Sequence, residues 1–391
     1  MTSTMRRSRL AGIAVATCCV ALSFGAVVAQ ARDSYTFAVI APMSGDSAAY
    51  GLNLQRGTQL AADQINANGG VSGSKLILEF FDSQCLATQA ANAASKIVSD
   101  PNIFGVLGDV CSVATLAALP IFNRAGISEI SGDASSPNIT EVVKTKHYTN
   151  FARTIPSDAQ VAPGMVRLAT AGLHKRRLAI LYGNDGFGQP LYLFEKEALP
   201  SDAELVASET YTPATTKDFT PQLTKIAAAK PDVILIDGYY SDAGTAVSQL
   251  PRVGLGGVTI ICSPGIDHAE FIKLAGPPSE GVYVFSAYDA NNTSPSNTNF
   301  VKEFRAKYNT EPNEQAAYGY ELPFLMKLAI EKGATKDDLA TVVRSLTFVG
   351  PSGTTKFDSN GDVLGKTGVV TRVENGAFKF DAAATAAANA K

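Results

Sequence analysis

The stretch "YTFAVIAPMSGDSAAYGLNLQRGTQLAADQINANGGVSGSKLILEFF", residues 35–81, sets a pattern that much of the chain repeats. It opens with an apolar run at 35–41 that predicts a strand, and it closes with a second run at 75–81. Between them, apolar residues spaced three and four apart predict a helix, which Gly69 and Gly70 end. This order indicates two parallel strands joined by a crossover helix.

The alternation of apolar runs and helical segments continues in two halves. Runs that predict strands lie at 35–41, 75–81, 103–109 and 127–132, and after residue 157 at 177–183, 204–211, 232–238, 258–263 and 281–287. Strands that alternate with helices are typical of parallel sheets covered on both faces. The later chain predicts helices at 297–309, 313–333 and 335–346, then short strands around a turn at Asn360-Gly361. We therefore expect an α/β protein with two doubly wound parallel-sheet lobes.

The N-terminus has the three parts of a secretory signal peptide. Three arginines between residues 6 and 9 precede an apolar stretch at 10–28, and an A-x-A motif ends at Ala31. The sequence predicts a signal peptide over residues 1–31, cleaved after Ala31, and a periplasmic location for the mature protein.

Two other interpretations of this segment remain. A membrane anchor is the first, because the apolar run is near spanning length. A lipoprotein is the second, because Cys18 and Cys19 lie in the run, although the residues before them fit a lipobox poorly.

Composition and motifs exclude several classes of function. With 391 residues, 46% of them hydrophobic, and a net charge of −3, the chain lacks the basic face that duplex nucleic acid requires. No GxSxG motif is present, and "GNDGFG" (183–188) lacks the Lys-Ser/Thr of a phosphate-binding loop. The three histidines are scattered and no CxxC occurs, so neither a metal site nor a cofactor is predicted.

Four segments carry a resemblance to a known family: "APMSGDSAAYG" (41–51), "LAADQINANGGVSGSKLILEFFDSQC" (60–85), "GDVCSVAT" (108–115) and "SGDASSPNIT" (131–140). The mature chain resembles the periplasmic branched-chain amino-acid-binding proteins, the type I solute-binding proteins of ABC importers. The resemblance implies two lobes joined by a three-strand hinge. Such a protein closes on a small ligand as a monomer and delivers it to a membrane permease.

The resemblance also implies domain boundaries and a disulfide. Lobe 1 would comprise 34–152 plus 287–362, lobe 2 would comprise 153–286 plus 363–381, and the alanine-rich 382–391 would be a disordered tail. The implied disulfide joins Cys85 and Cys111. Cys262 then remains as an odd thiol, buried in an apolar strand.

Two serines match the family's contacts to the ligand carboxylate. Ser112 would donate its hydroxyl at the start of a helix, where backbone N–H groups and the helix dipole also favour an anion. The alternative is a plain N-cap serine. Ser135 matches a family Thr that supplies a second hydroxyl. Its alternative is a simple helix start at Ser136-Pro137.

Three aromatic residues match the mouth and the closing face of the cleft. Tyr50 corresponds to an aromatic at the cleft mouth, and Tyr240 to a second-lobe tyrosine that closes over the ligand. Tyr239 precedes it, so this register is good to about one residue. Phe187 lies where many members carry Tyr, so the ring is kept without its hydroxyl.

The chain departs from the family where the ligand's ammonium would bind. In "CSPGIDH" (262–268), Pro264 occupies the place of the second-lobe acid, and Asp267 follows three residues later. In "SGDASSP" (131–137), Asp133 stands where a small residue offers only its carbonyl, with Ala134 beside it as a further expected contact. Asp133 could bind the ammonium, bind another donor such as an amide or hydroxyl, or cap the following turn in water.

The sequence thus predicts a solute-binding protein of an ABC importer for an amino acid, branched-chain or related. One alternative keeps this role for a short amide, urea or an aromatic carboxylate, because the usual ammonium-binding acid is missing. The second alternative is a periplasmic ligand-sensing subunit.

Overall fold

The computed structural model describes residues 1–2 and 33–390. Apart from its first two residues, the predicted signal peptide lies outside the described residues. Among the residues that are described, no helix combines the length and apolarity that crossing a bilayer requires.

The strands are β1 (Ser34–Ala41), β2 (Lys75–Asp82), β3 (Ile103–Gly108), β4 (Glu129–Ser131), β5 (Phe151–Arg153), β6 (Arg177–Gly183), β7 (Glu204–Tyr211), β8 (Val233–Asp237), β9 (Thr259–Cys262), β10 (Tyr283–Ser286), β11 (Phe348–Gly350), β12 (Gly353–Thr355), β13 (Val369–Glu374) and β14 (Ala377–Phe380). The helices are α1 (Ala48–Ala67), α2 (Ala87–Ser99), α3 (Ser112–Ala125), α4 (Pro137–Thr145), α5 (Asp158–Arg167), α6 (Gly188–Glu197), α7 (Thr220–Ala228), α8 (Tyr240–Gln249), α9 (Ala269–Ala275), α10 (Pro295–Tyr308), α11 (Glu314–Glu331), α12 (Leu339–Arg344) and α13 (Ala382–Asn389).

The first sheet is parallel throughout and has the order β2-β1-β3-β4-β5. Its apolar runs are buried on both faces. In β1, Phe37 and Val39 pack into a core with α1, whereas Ala38 and Ile40 pack into a second core with α2 and α3. This explains why the strand reads as a continuous apolar run instead of an alternating one.

The second sheet has the order β14-β13-β10-β9-β8-β6-β7. From β10 to β7 the strands are parallel, whereas β13 pairs antiparallel with both β10 and β14. The structure therefore confirms an α/β protein with two parallel sheets, and adds an antiparallel edge to the second.

The chain crosses between the two sheets at three points. It leaves the first sheet after β5 and returns to its side after β10, where α11 packs against α1. It crosses again between β12 and β13. The α1–α11 contact is close enough to need glycine: a Cβ on Gly319 would lie 2.7 Å from the Leu54 carbonyl oxygen, and one on Gly57 would overlap the Ala316 carbonyl.

The C-terminal segment differs from the prediction of a disordered tail. Residues Ala382–Asn389 form α13, on which Ala384 and Ala388 are buried against a core that includes α5 residues. The guanidinium of Arg167 donates to the Ala388 carbonyl at 2.9 Å. The prediction was wrong because alanine is a strong helix former, and here it also has a surface to pack on.

The expected turn at Asn360-Gly361 exists, with Gly361 at φ 88°, but only an isolated bridge between Phe357 and Val363 flanks it. The larger hairpin is β13–β14, which turns at Asn375-Gly376 with positive φ at both residues. Asn-Gly suits such a turn, because both positions need left-handed backbone.

The disulfide between Cys85 and Cys111 is present, with 5.4 Å between the two Cα atoms. It joins the loop after β2 to the residue that precedes α3. Cys262 is buried and is the free cysteine of the described chain, as expected.

Candidate functional site

A small cavity lies where the loops that follow the parallel strands of both sheets meet. Ligands in open α/β sheets bind in this position, outside the carboxyl ends of strands. Its walls are formed by Tyr50, Val110, Ser112, Asp133, Ser135, Ile155, Phe187, Tyr239, Pro264, Gly265, Glu314 and Gln315. A larger, open groove around Lys175 and Arg372 lies elsewhere on the second sheet and contains none of the predicted site residues.

One end of the cavity is built to receive an anion. Ser112 is the first residue of α3, and its hydroxyl accepts the N–H of Ser136 at 3.1 Å, which leaves the hydroxyl proton free to point elsewhere. In the described part of the chain, no acceptor reaches the backbone N–H groups of Ser112 and Val113. Free N–H groups at a helix start, together with the helix dipole, stabilise a carboxylate.

Ser135 belongs to the same end of the cavity but is engaged with a carboxyl group. Its hydroxyl donates to Asp158 Oδ2 at 2.8 Å, and its carbonyl accepts the Asp158 N–H at 2.9 Å. Burial raises the pKa of Asp158 to about 7. When Asp158 is protonated it can donate to Ser135, and the serine hydroxyl is then available to a ligand carboxylate.

Tyrosine contacts hold the loops of the two sheets together across the cavity. The Tyr50 hydroxyl donates to the Gly265 carbonyl and accepts the Tyr240 N–H at 3.1 Å. The Tyr240 hydroxyl donates to the Asp46 carbonyl at 2.7 Å. Tyr240 therefore closes the cavity from outside and does not form its wall.

Tyr239, not Tyr240, forms the cavity wall on this side. Its ring stacks on Phe187, with centroids 5.1 Å apart and an interplanar angle of 20°. Its hydroxyl is buried and finds no hydrogen-bond partner in residues 33–390. The one-residue uncertainty in the sequence register thus concerns two residues with different places: Tyr239 lines the cavity, and Tyr240 bonds Asp46 outside it.

Two acidic residues lie at another part of the wall. Asp133 is 6% exposed, and its carboxyl contacts the Glu314 carboxyl and the Gln315 amide. Its Oδ2 has no hydrogen-bond partner within the described residues. Burial raises the pKa of Asp133 to about 6, and burial with neighbouring carboxyls raises the pKa of Glu314 well above its ordinary value. This burial argues against the alternative in which Asp133 caps the following turn and stays in water.

Two predicted residues lie outside the cavity wall. Asp267 is half-buried, and burial raises its pKa to about 6. The carbonyl of Ala134 accepts from Arg153 at 3.0 Å, and its N–H bonds the Ser131 hydroxyl at 3.0 Å. Both backbone groups of Ala134 therefore already have partners.

The sequence analysis missed Glu314 and Gln315. They begin α11 after Asn313, whose side chain accepts the Ala316 N–H at 3.2 Å. Two polar residues at the start of an otherwise apolar helix were a visible signal. However, their position beside the cavity depends on how α11 packs, which the pattern does not reveal.

We expect Tyr50→Phe to weaken ligand binding about tenfold, because it removes two hydrogen bonds that hold the cavity closed. Titration calorimetry would measure this, with Tyr35→Phe as the control, since Tyr35 lies on β1 away from the cavity. Unchanged affinity in Tyr50→Phe would show that these bonds do not hold the liganded state together.

The arrangement suits binding of a small solute. Within residues 33–390, no three His, Cys, Asp or Glu side chains are placed to hold a metal ion. A cavity between the loops of two parallel sheets, with an anion-binding helix start and buried acids, defines a solute-binding protein.

Comparison with known proteins agrees with this class of protein. Residues 34–377 match the sequence model of the family described as periplasmic binding protein, and the chain belongs to this family, whose members are not enzymes. A leucine-, isoleucine-, valine-, threonine- and alanine-binding protein of Pseudomonas aeruginosa is 28% identical over 336 residues, which cover 85% of this chain and 88% of that one.

Solved structures show the same architecture. A leucine-binding protein of Thermotoga maritima has a TM-score of 0.83 at 26% identity, covering 89% of this chain and 98% of that one. A solute-binding protein of an ABC transporter from R. palustris, solved with benzoate, has a TM-score of 0.79 at 19% identity, covering 89% and 95%. At that identity the second likeness concerns the fold alone.

Proposed function

We propose that this chain is the extracytoplasmic solute-binding protein of an ABC importer and carries an amino acid, branched-chain or related, to its permease. It acts as a monomer in the periplasm after removal of residues 1–31. Lobe 1 (34–152 plus 287–362) and lobe 2 (153–286 plus 363–381) close over the ligand. The leucine-binding names of its relatives support this proposal.

The proposal rests on one observation: the same cavity has one part that suits an anion and another that suits a cation. The start of α3, with Ser112, suits a carboxylate, and the acids Asp133 and Glu314 suit a cation. Val110, Ile155 and the ring of Phe187 supply apolar wall between them. A zwitterion with a short apolar side chain matches these three features.

The test begins with the ligand that the purified protein retains, identified by mass spectrometry after denaturation. Calorimetry then compares leucine, isoleucine, valine, acetamide, urea and benzoate. We expect the branched-chain amino acids to bind, and Ser112→Ala to weaken them by about 10- to 100-fold, because a charged acceptor loses a hydrogen bond. Ser95→Ala is the matched control, since that serine is exposed on α2. Calorimetric silence across the whole panel would contradict the proposal.

An aromatic carboxylate is the second candidate. The observation that favours it is the stack of Phe187 and Tyr239 in the wall, together with Pro264 where the family carries an acid. Tighter binding of benzoate than of leucine would favour this ligand class. The transport role would then stand, with a different solute.

A further inference from the structure

Carboxyl groups from three separate elements converge beside the cavity. Asp133 follows β4, Glu314 begins α11, and Asp267 follows β9. The charge of Asp133 acts on both others. Glu314 is further fixed by the N–H of Ala287 and by the Ser286 hydroxyl, which donates at 3.1 Å.

In the part of the chain that the structure describes, no buried cation is free to neutralise this group. Within the described residues, the buried Lys and Arg side chains are Arg153 and Lys366. Arg153 is paired with Asp362 at 2.6 Å, and Lys366 lies 3.8 Å from Glu321. Neither of these two buried cations is therefore available to balance the acids, and the ammonium group of a ligand could do so.

Contact between the carboxyls of Asp133 and Glu314 requires a proton. Two carboxylates in contact cannot both be ionised in a site removed from water, so the pair shares one proton. Two further atoms of wall residues are buried and have no hydrogen-bond partner among the described residues: Asp133 Oδ2 and the Tyr239 hydroxyl.

Resting on the proposed function, we propose that Asp133 and Glu314 share one proton in the empty cleft, and that the ammonium group of the ligand displaces it. The pair thereby selects ligands with a primary amine, and binding releases a proton. The pair replaces the family's ammonium-binding acid, in whose place this chain has Pro264.

The groups that face the pair set the sign of the pH dependence. Asp267 is also an acid whose proton a cation would displace, so it acts in the same direction. Asp158 acts in the opposite direction, because a ligand carboxylate near Ser135 favours its protonated form. Burial raises the pKa of Tyr50 and of Tyr318, so both stay neutral.

Affinity for an amine ligand should therefore rise with pH. The free pair holds its proton at pH 5.5, and the complex does not, so each unit of pH gained should tighten binding by up to about tenfold. An affinity that rises with pH can be caused by the acids near the ligand amine. It cannot be caused by Asp158, which acts in the opposite direction. The ligand's own amine remains charged between pH 5.5 and 7.5.

The experiment titrates leucine and its amine-free analogue, 4-methylpentanoate, into the mature protein by calorimetry. At pH 6.5, two buffers of different ionisation enthalpy give the number of protons exchanged, and pH 5.5 and 7.5 give the slope. We expect about one proton released with leucine, none released with the analogue, and binding of the analogue about 100-fold weaker.

Variants separate the two acids. Glu314→Gln should keep leucine affinity within about tenfold while losing the proton release and flattening the slope. Asp133→Asn should weaken leucine about 100-fold and leave 4-methylpentanoate unchanged, which also shows that the variant is folded. Glu129→Gln is the control: Glu129 is equally buried and its carboxyl oxygens have no hydrogen-bond partner, but it lies outside the cavity, so leucine binding and its slope should persist.

Two results would overturn the inference in distinguishable ways. If leucine binds with the same proton count and slope in the wild type and in Glu314→Gln, the shared proton is wrong and the proposed function survives. If no amino acid binds, the proposed function fails and the inference fails with it.

Discussion

Replacing Arg153 with methionine is expected to lower the free energy of unfolding by about 3–5 kcal/mol. The side chain is fully buried, and its Nε lies 2.6 Å from Asp362. The same guanidinium donates to the carbonyls of Ala134 at 3.0 Å and Ser136 at 2.8 Å, and to the Thr140 hydroxyl at 2.6 Å. Methionine leaves the Asp362 carboxylate without its cation, although the Thr140 hydroxyl still donates to it, and leaves the carbonyls of Ala134 and Ser136 without the guanidinium.

Urea denaturation at pH 7 measures this loss. The double variant Arg153→Met with Asp362→Leu should recover part of it, because the carboxylate that was left unpaired is removed as well. A single-variant loss below about 1 kcal/mol would show that water replaces the guanidinium. Ligand affinity should fall too, since Arg153 supports the loop that carries Asp133 and Ser135.

The folded protein is expected to be more stable at pH 5 than at pH 8. Buried acids cause this, because burial raises their pKa: to about 7 for Asp109, about 8 for Glu129 and about 8 for Asp237, with Glu195 raised well above its ordinary value. At any pH between the pKa values of the unfolded chain, near 4, and these pKa values of the folded protein, the folded state binds more protons than the unfolded state. Its stability is therefore present at low pH and declines as pH rises through that window.

Glu195 and Asp237 contribute most clearly. Both side chains are fully buried in contact with each other, and no other described residue donates a hydrogen bond to their carboxyl oxygens. We expect the free energy of unfolding to fall by at least about 2 kcal/mol from pH 5 to pH 8. Glu195→Gln should make this decline smaller.

Urea denaturation across pH, with Glu204→Gln as the control, tests this prediction. Glu204 is an exposed glutamate on β7, so the control should keep the wild-type decline. A wild-type protein that is equally or more stable at pH 8 would contradict the prediction.

The apolar runs predicted the parallel strands well, because a strand buried on both faces must be apolar throughout. The short strand β5 escaped detection, since it has three residues, one of them the charged Arg153. The helix over 382–389 escaped because its stability comes from Arg167 and from the core around it, which the local pattern does not encode.

At the cavity, sequence reasoning found the residues that lie in loops directly after strands. Ser112, Asp133, Ser135 and Phe187 all line it. Glu314 was missed because it reaches the cavity from a helix far along the chain. The sequence did not separate Tyr239 from Tyr240, because which of them faces the cavity depends on where α8 begins, and in the structure it begins at Tyr240.

The contact between α1 and α11 also imposes an order of events on folding. Gly57 and Ala316, which touch there, are separated in sequence by every parallel strand from β2 to β10. During synthesis, α1 can pack on α11 only after the parallel strands of both sheets have been made, and its apolar side stays uncovered until then. Contacts so distant in sequence form slowly. This order suits the proposed export, because a chain whose fold stays incomplete until its last quarter can still cross a membrane unfolded.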